Sequence, residues 1–388
     1  MRPQNKRTVL FVDNQVNDFL KDRIIFALTV QKAGFEVHVA VPLESGWEDI
    51  SRQGICVHTI QLRRKSTRLI DELRCCLSLL ILYERLRPIL VHHLSLKPTL
   101  YGGIAARATG IPAVVSTLTG LGYLFSTHTV KTRLLRSIVE KGLRLSFGHQ
   151  CHTVIVQNAE DLTRLVASCK LPYDRAVLIK GSGVDMSLFK PAPQVEGLPV
   201  VLMGARLLWA KGVSEFVAAS RALRVLGIQA RFILAGEPDT DHPSAIPVST
   251  LRQWHDAGYV EWIGWRHDVP ALISQSHIVC LPSSYGEGLP RILLEAAASG
   301  RAIVATDCPG SREIVRHGEN GLLVPIGDAD ALTKALKQLI ENASLRLAMG
   351  IRGREIAAAS ASSLDDVIEA NLTVYRSVLS FQQSNSYS

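Results

Sequence analysis

Residues 278–315, IVCLPSSYGEGLPRILLEAAASGRAIVATDCPGSREIV, switch twice between strand-like and helix-like order. Ile278–Leu281 is an apolar run short enough to be a buried strand. A Gly-containing loop follows. Pro290 then stands near the first turn of an apolar helical segment, Pro290–Ala298, where a missing N–H costs nothing. Ala302–Thr306 is a second short apolar run. Strand, loop, helix and strand in this order are the unit from which parallel sheets with covering helices are assembled.

The loop and helix also carry chemistry. A helix start offers N–H groups and partial positive charge to a phosphate, and Gly286 and Gly288 allow close approach to the backbone. Glu295 lies among Ile292, Leu293, Leu294, Ala296, Ala297 and Ala298. A carboxylate in such surroundings requires a partner. The two hydroxyls of a ribose would serve, and so would Arg291, four residues earlier on the same helical face. Glu287, taken alone, reads as a solvated loop acid.

The same alternation extends in both directions. Upstream it predicts strands at Thr8–Val12, Glu36–Ala40, Ile55–Ile60, Ile89–His92, Ala113–Ser116 and Thr153–Gln157. Helices are expected at Ile24–Lys32, Asp71–Leu86, Thr99–Thr109 and Leu134–Leu145. The Gly- and Pro-rich stretch GSGVDMSLFKPAPQVEG, residues 181–197, breaks the pattern and reads as a linker. Beyond it, strands are expected at Val200–Met203, Ala230–Ala235 and Val260–Ile263. Helices are expected at Val213–Leu226, Val269–Gln275 and Ala329–Asn342, with one helical turn at Arg312–Val315. Two serial doubly wound domains would meet across a cleft and bind ligands at the carboxyl ends of their strands.

A second constellation is Gly204-Ala205-Arg206-Leu207-Leu208-Trp209-Ala210-Lys211-Gly212, directly after the Val200–Met203 strand. Two cations about one loop apart suit a diphosphate, although surface basics flanking a helix start have the same spacing. Asp239-Thr240-Asp241 lies in a polar loop and reads as a solvated turn. His92 and His93 follow an apolar strand, so one is expected to face the core and the other the cleft. His149, Cys151 and His152 lack a well-spaced further ligand, and no zinc site is expected there.

Composition narrows the class. The 388 residues are 47% hydrophobic, enough to fill two cores. Seven cysteines, an odd number without a CxxC pair, are no disulfide framework and point to a reducing compartment. The first apolar run ends at Asp13, which excludes a signal peptide reading, and no run approaches the ~20 residues of a membrane span. A cytoplasmic location is therefore expected. Residues 1–195 hold 26 Lys and Arg against 15 Asp and Glu, whereas 196–388 hold 17 against 20. The basic half is suited to something anionic, either nucleic acid or a membrane surface. Lys131–Arg144, KTRLLRSIVEKGLR, has the pattern of a basic amphipathic helix. Arg63, Arg64, Lys65, Arg68 and Arg74 precede a further apolar run, Leu77–Leu82. These two segments favour peripheral binding to the inner face of the plasma membrane over a core-packing role alone. No helix-turn-helix, zinc or RNA-binding signature supports nucleic acid.

Glu287-Gly288-Leu289-Pro290 through Glu295-Ala296-Ala297 and Gly300 resembles the E-G-x-P-x-x-x-x-E-A-x-A-x-G signature of family-4 glycosyltransferases of GT-B fold. The likeness continues through Pro309-Gly310-Ser311, Glu313-Ile314-Val315 and Asn320–Val324 and covers essentially the whole chain. It implies an α/β GT-B protein with two Rossmann-like domains. The expected boundaries are 1–190 for the acceptor domain, 191–362 for the nucleotide-sugar domain, and 363–388 for a helix crossing back plus tail. It assigns Arg206 and Lys211 to the donor diphosphate, Glu295 to the ribose, backbone near Gly288 and Leu289 to phosphate, and Glu287 to hydroxyls of the donor sugar. Glu287, Arg206 and Lys211 are then the catalytic candidates, with neither metal nor cofactor beyond a UDP-sugar donor.

The segments His92–Pro98, Tyr101-Gly102, Ala105–Arg107 and Ser116–Phe125 resemble the subgroup acting on undecaprenyl-diphosphate-linked saccharides in bacterial surface-polysaccharide or glycan assembly. They make His93, Lys97, Thr119 and Gly120 acceptor candidates. Many family members carry a His where Thr119 stands, and threonine cannot move a proton in the same way. The implied activity is transfer of a hexose or N-acetylhexosamine with retention of configuration. The rival readings are a GT-B-fold UDP-sugar epimerase, a basic nucleic-acid-binding protein and an inactive partner subunit.

Overall fold

The computed structural model describes residues 7–62, 68–121, 130–239, 242, 244–284, 288–360 and 362–385. The chain forms two compact units. The first runs to Ser182 and includes Val367 onward, and the second is Gly183–Asp366. Each is a parallel sheet with covering helices, a Rossmann-like arrangement.

In the first unit the strands are β1 (Thr8–Val12), β2 (Glu36–Pro42), β3 (Cys56–Ile60), β4 (Leu90–Leu94), β5 (Ala113–Leu118), β6 (His152–Val156) and β7 (Ala176–Leu178). They are ordered β3-β2-β1-β4-β5-β6-β7. Alternate residues of β1 feed different cores. Val9 and Phe11 pack with Phe19, Phe26 and the final helix, Leu364–Asn385. Leu10 and Val12 pack with Leu79, Leu82 and Tyr83 of the helix Leu69–Leu86. The inner strands β1, β4 and β5 are buried throughout because helices cover both faces of the sheet, which is why they read as largely apolar runs.

That rule corrects the expectation for the two histidines. His92 and His93 point to opposite faces of β4, and both are fully buried. His92 bonds Tyr375 Oη through Nδ1 (2.8 Å) and Thr117 Oγ1 through Nε2 (2.7 Å). His93 bonds Tyr83 Oη (2.8 Å) and Ser116 Oγ (3.2 Å), and Ser116 Oγ also meets His152 Nε2 at 2.9 Å. Burial holds both rings neutral, with pKa values well below the ordinary range. Both rings are fully buried and engaged within the first unit, so His93 is not placed to touch an acceptor.

In the second unit the strands are β8 (Val200–Gly204), β9 (Arg231–Ala235), β10 (Glu261–Trp262), β11 (Ile278–Leu281), β12 (Ala302–Thr306) and β13 (Gly321–Val324). Their order is β10-β9-β8-β11-β12-β13. One apolar cluster joins both faces, from Val201 and Met203 through Leu293, Leu294 and Ile303 to Leu332, Leu336 and Leu339.

Some elements differ from the sequence expectation. The segment expected as one helix, Thr99–Thr109, begins as a π-helical turn, Pro98–Gly102, and becomes α-helical only over Gly103–Thr109. The turn lies against β4, where a Cβ on Gly102 would sit 2.4 Å from His93 Nε2. The helical turn expected at Arg312–Val315 is instead Pro309–Arg312, because Pro309 fits the first helical position. Helices at Val16–Asp22, Trp47–Arg52, Ala159–Cys169, Val248–Asp256 and Ala343–Ala359 go unforeseen. All seven cysteines are free thiols.

Tyr375 offers a direct test of how the final helix is held. Tyr375→Phe removes the bond to His92 Nδ1 while keeping the aromatic ring, and leaves a buried ring nitrogen without that partner. The first unit should lose about 1–3 kcal/mol, read as a lower urea midpoint with an unchanged slope. An unaltered midpoint would show that the bond contributes nothing.

Candidate functional site

The carboxyl ends of β8 and β11 are neighbours, and the order of strands reverses between them. β9 and β10 lie on one side, β12 and β13 on the other. Such a switch point opens a crevice in which α/β sheets bind ligands. The loop after β8 carries Arg206 and Lys211, and the segment after β11 carries Gly288, Leu289 and Glu295.

The loop after β8 is pinned on both sides. Ala205 N donates to Ala235 O (3.1 Å), Leu207 N to Glu237 O (3.0 Å) and Trp209 N to Ser244 O (2.8 Å). On the other side, Ala210 O accepts from Ser284 N at 2.8 Å and from Ser283 Oγ at 3.3 Å. Gly212, with φ +77°, lies so close to the start of the second loop that a Cβ would sit 1.9 Å from Pro282 O. Only glycine permits both that conformation and that approach. The two motifs are thus tied together by backbone.

Lys211 is buried, with 8% of its surface exposed. Arg206 stands 3.6 Å from Asp239 Oδ2, an ion pair longer than a hydrogen bond. Its Nη1 is buried and makes no hydrogen bond among the described residues. Asp239 is therefore not a solvated turn residue: its carboxylate is mostly covered and paired with Arg206. Thr240 and Asp241, the rest of that D-x-D, lie outside the described residues.

Gly288 and Leu289 are buried immediately before the helix Arg291–Ala298, which Pro290 caps. Glu295 is 5% exposed and accepts from Arg291 Nε at 2.7 Å. The i,i+4 pair is thus formed, and Arg291 is half exposed and able to turn toward water. Glu287 and Gly286 lie outside the described residues.

The first unit has its own switch point, between β1 and β4. Asp13 follows β1, is 4% exposed and receives a hydrogen bond from Asn14 N at 2.7 Å. Burial first, then the charge of Asp18, raises its carboxyl to about 8, against the opposing effect of Arg23. Ser95 follows β4 with φ +74°, a left-handed conformation that costs a non-glycine residue about 1–2 kcal/mol. Thr119 and Gly120 follow β5, with Thr119 exposed and Gly120 half-buried. Lys97 is engaged with Glu72 at 2.7 Å, and both side chains are largely covered. Asp13 and Ser95 stand at this switch point and were not singled out from the sequence. The abrupt change from an apolar strand to an acid at Asp13 was a readable signal, whereas the backbone of Ser95 had none.

Similarity to known proteins follows the same division. Residues 8–158 match a family model described as glycosyl transferase 4-like, and residues 198–342 match glycosyl transferases group 1. The chain is 30% identical over 327 residues to N,N'-diacetylbacillosaminyl-diphospho-undecaprenol alpha-1,3-N-acetylgalactosaminyltransferase of Campylobacter jejuni, covering 80% of this chain and 84% of that one. It is 25% identical over 297 residues to UDP-Gal:alpha-D-GlcNAc-diphosphoundecaprenol alpha-1,3-galactosyltransferase of Escherichia coli, covering 73% and 74%. Among solved structures, Anabaena HepE in complex with UDP and glucose superposes with a TM-score of 0.76 at 18% identity, covering 95% of this chain and 99% of that one. A Rickettsia africae glycosyltransferase gives 0.73 at 19% identity, covering 97% and 99%. The last two likenesses concern the fold.

Asp13 generates a pH prediction. A carboxyl raised from 3.8 to about 8 stabilises the folded chain fully below its unfolded pKa, and this contribution is lost as pH rises through the folded value. Thermal midpoints of the parent should therefore fall between these pH values relative to Asp13→Asn, which cannot ionise. Parallel curves for the two proteins would mean that Asp13 is charged in the fold.

Proposed function

Since this chain belongs to the family-4 glycosyltransferases of GT-B fold, we propose that it moves a hexose or N-acetylhexosamine from a UDP-sugar to a polyprenyl-diphosphate-linked saccharide. The observation that carries this reading is the backbone tie between the Arg206–Lys211 loop and the segment leading to Glu295, at the β8–β11 switch point. A nucleotide diphosphate gains negative charge as the glycosidic bond breaks. Fixed cations in a covered site stabilise that charge without reorganising. Arg206 and Lys211 are the cations, and the N–H groups near Gly288 and Leu289 add to them. Glu295 takes the ribose, with Arg291 turning aside, and Glu287 takes hydroxyls of the donor sugar.

With two cations in place, the leaving group requires no divalent metal. We read the transfer as retaining, with front-face attack by the acceptor hydroxyl and its proton passing to the leaving phosphate. The acceptor class is supported by the two undecaprenol-directed relatives. In the first unit, Thr119 and Gly120 at the end of β5 are the candidates that remain open to an acceptor.

A lipid-linked acceptor keeps its polyprenyl chain in the bilayer, so the enzyme must approach a membrane surface. No helix among the described residues is long and apolar enough to cross one. Two helices on one face of the first sheet, Leu69–Leu86 and Val130–Phe147, expose apolar side chains. They include Ile70, Leu73, Leu77 and Ile81 on the first, and Leu134 and Ile138 on the second. Exposed Arg74, Arg133 and Lys141 accompany them. Apolar rows beside cations suit an anionic interface. Of the other basic residues named from sequence, Arg63, Arg64 and Lys65 lie outside the described residues.

Two experiments test these readings. Lys211→Ala should lower the transfer rate by about 10²–10³-fold and weaken UDP binding. Glu287→Ala should abolish transfer while leaving UDP binding largely intact. Both are assayed with membrane-extracted lipid-linked acceptors and mass spectrometry across UDP- and GDP-sugars. Parent-like rates for both variants would remove the site assignment. Separately, a Leu134→Asp, Ile138→Asp double variant should lose co-sedimentation with vesicles containing anionic lipid, and undiminished sedimentation would remove the docking face.

A further inference from the structure

The outer edge of the first sheet gathers donor side chains that the transfer reading does not use. Glu36 and His38 lie two residues apart on β2 and therefore on one face. On the neighbouring strand β3, Cys56 pairs in register with His38, and His58 pairs with Ala40. A carboxylate oxygen of Glu36, a ring nitrogen of His38 and Cys56 Sγ all lie within 4.8 Å of one another. His38 Nε2 is 3.7 Å from Glu36 Oε1, while His38 Nδ1 is 2.8 Å from His58 Nε2. The two rings are stacked, with planes 8° apart and centroids 5.1 Å apart.

We propose that Glu36, His38 and Cys56 bind a zinc ion on this edge, with His58 orienting His38. The donor set is one carboxylate, one imidazole and one thiolate. This combination suits zinc, since harder cations prefer oxygen alone. Zinc bonds of ~2.0–2.3 Å place tetrahedral ligands about 3.5 Å apart, so side-chain rotations of roughly an ångström close the site. Binding releases the thiol proton to solvent, and a water fills the fourth position.

The ring of His38 has the support a ligand histidine needs. With the ion on Nε2, Nδ1–H donates to His58 Nε2, which fixes the tautomer and raises the basicity of the ligand. His58 Nε2, 2.8 Å from His38 Nδ1, is placed to accept that hydrogen bond. Arg85 Nη2, 3.5 Å from the other nitrogen of His58, is on an exposed side chain and can turn away. Cys56 is exposed and Glu36 half-buried, which leaves a path from solvent. The ligands come from two strands about 20 residues apart, so no short ligand spacing announces them.

Titration of the intact, metal-stripped protein tests the site. One equivalent of Co(II) should produce a near-ultraviolet thiolate-to-cobalt charge-transfer band, and zinc should displace it. Zinc should also protect Cys56 from alkylation, followed by peptide mass spectrometry. Cys56→Ser, at an exposed position, should abolish the band, and His58→Ala should weaken zinc binding by about 10–100-fold while the band remains. Absence of a thiolate band in the parent, unchanged alkylation with zinc, or a band retained by Cys56→Ser would each overturn the proposal.

Discussion

Ile278 pairs with Val201 and Val279 with Leu202, so β8 and β11 run side by side and end together. Everything attributed to the second unit depends on that adjacency. It brings a basic loop and a glycine-containing loop, separated in sequence by β9 and β10, to a common edge. Backbone bonds at Ala210 and the missing Cβ of Gly212 then hold the loops at fixed separation. Side chains alone would not achieve this. Lys and Arg carry long flexible stems, and placing their charges before the reaction requires a rigid base.

The two units use their polar groups differently. In the first, histidines, serines and tyrosines form a closed internal network in which burial holds the rings neutral. His152 is driven to about 3. Such a network specifies how the helices seat on the sheet, since each unmatched donor or acceptor would carry a desolvation cost. In the second, Arg206 and Lys211 stand beyond the carboxyl end of β8. Arg206 is paired with Asp239 at 3.6 Å, and Lys211 is buried. The first unit is basic in sequence: Arg74, Arg133 and Lys141 are exposed on its outer helices, whereas Arg23 is buried.

The architecture was legible because buried parallel strands are short, apolar and separated by helical periods. Both sheets therefore stood out in the sequence. The segment leading to Glu295 and the Arg206–Lys211 loop could be singled out because each is local in sequence, and the structure sets both beyond the ends of neighbouring strands. Properties fixed by tertiary packing were hidden. Alternation within β4 suggested one inward and one outward histidine, but helices on both faces buried each of them. The pairing of Lys97 with Glu72 and of Arg206 with Asp239 joins distant segments. The Pro98–Gly102 turn reflects close packing on His93, which no helix propensity encodes. The short helices that were missed, such as Trp47–Arg52, carry too few turns for a clear period.

The helix Leu364–Asn385 contributes Val367, Val374, Tyr375 and Val378 to a core otherwise built from the first part of the chain. During synthesis that core stays open while the whole second unit emerges from the ribosome. The nascent first sheet must therefore persist with an uncovered apolar strip, a natural target for holding chaperones. The second unit suffers no such delay and can close as its own residues appear.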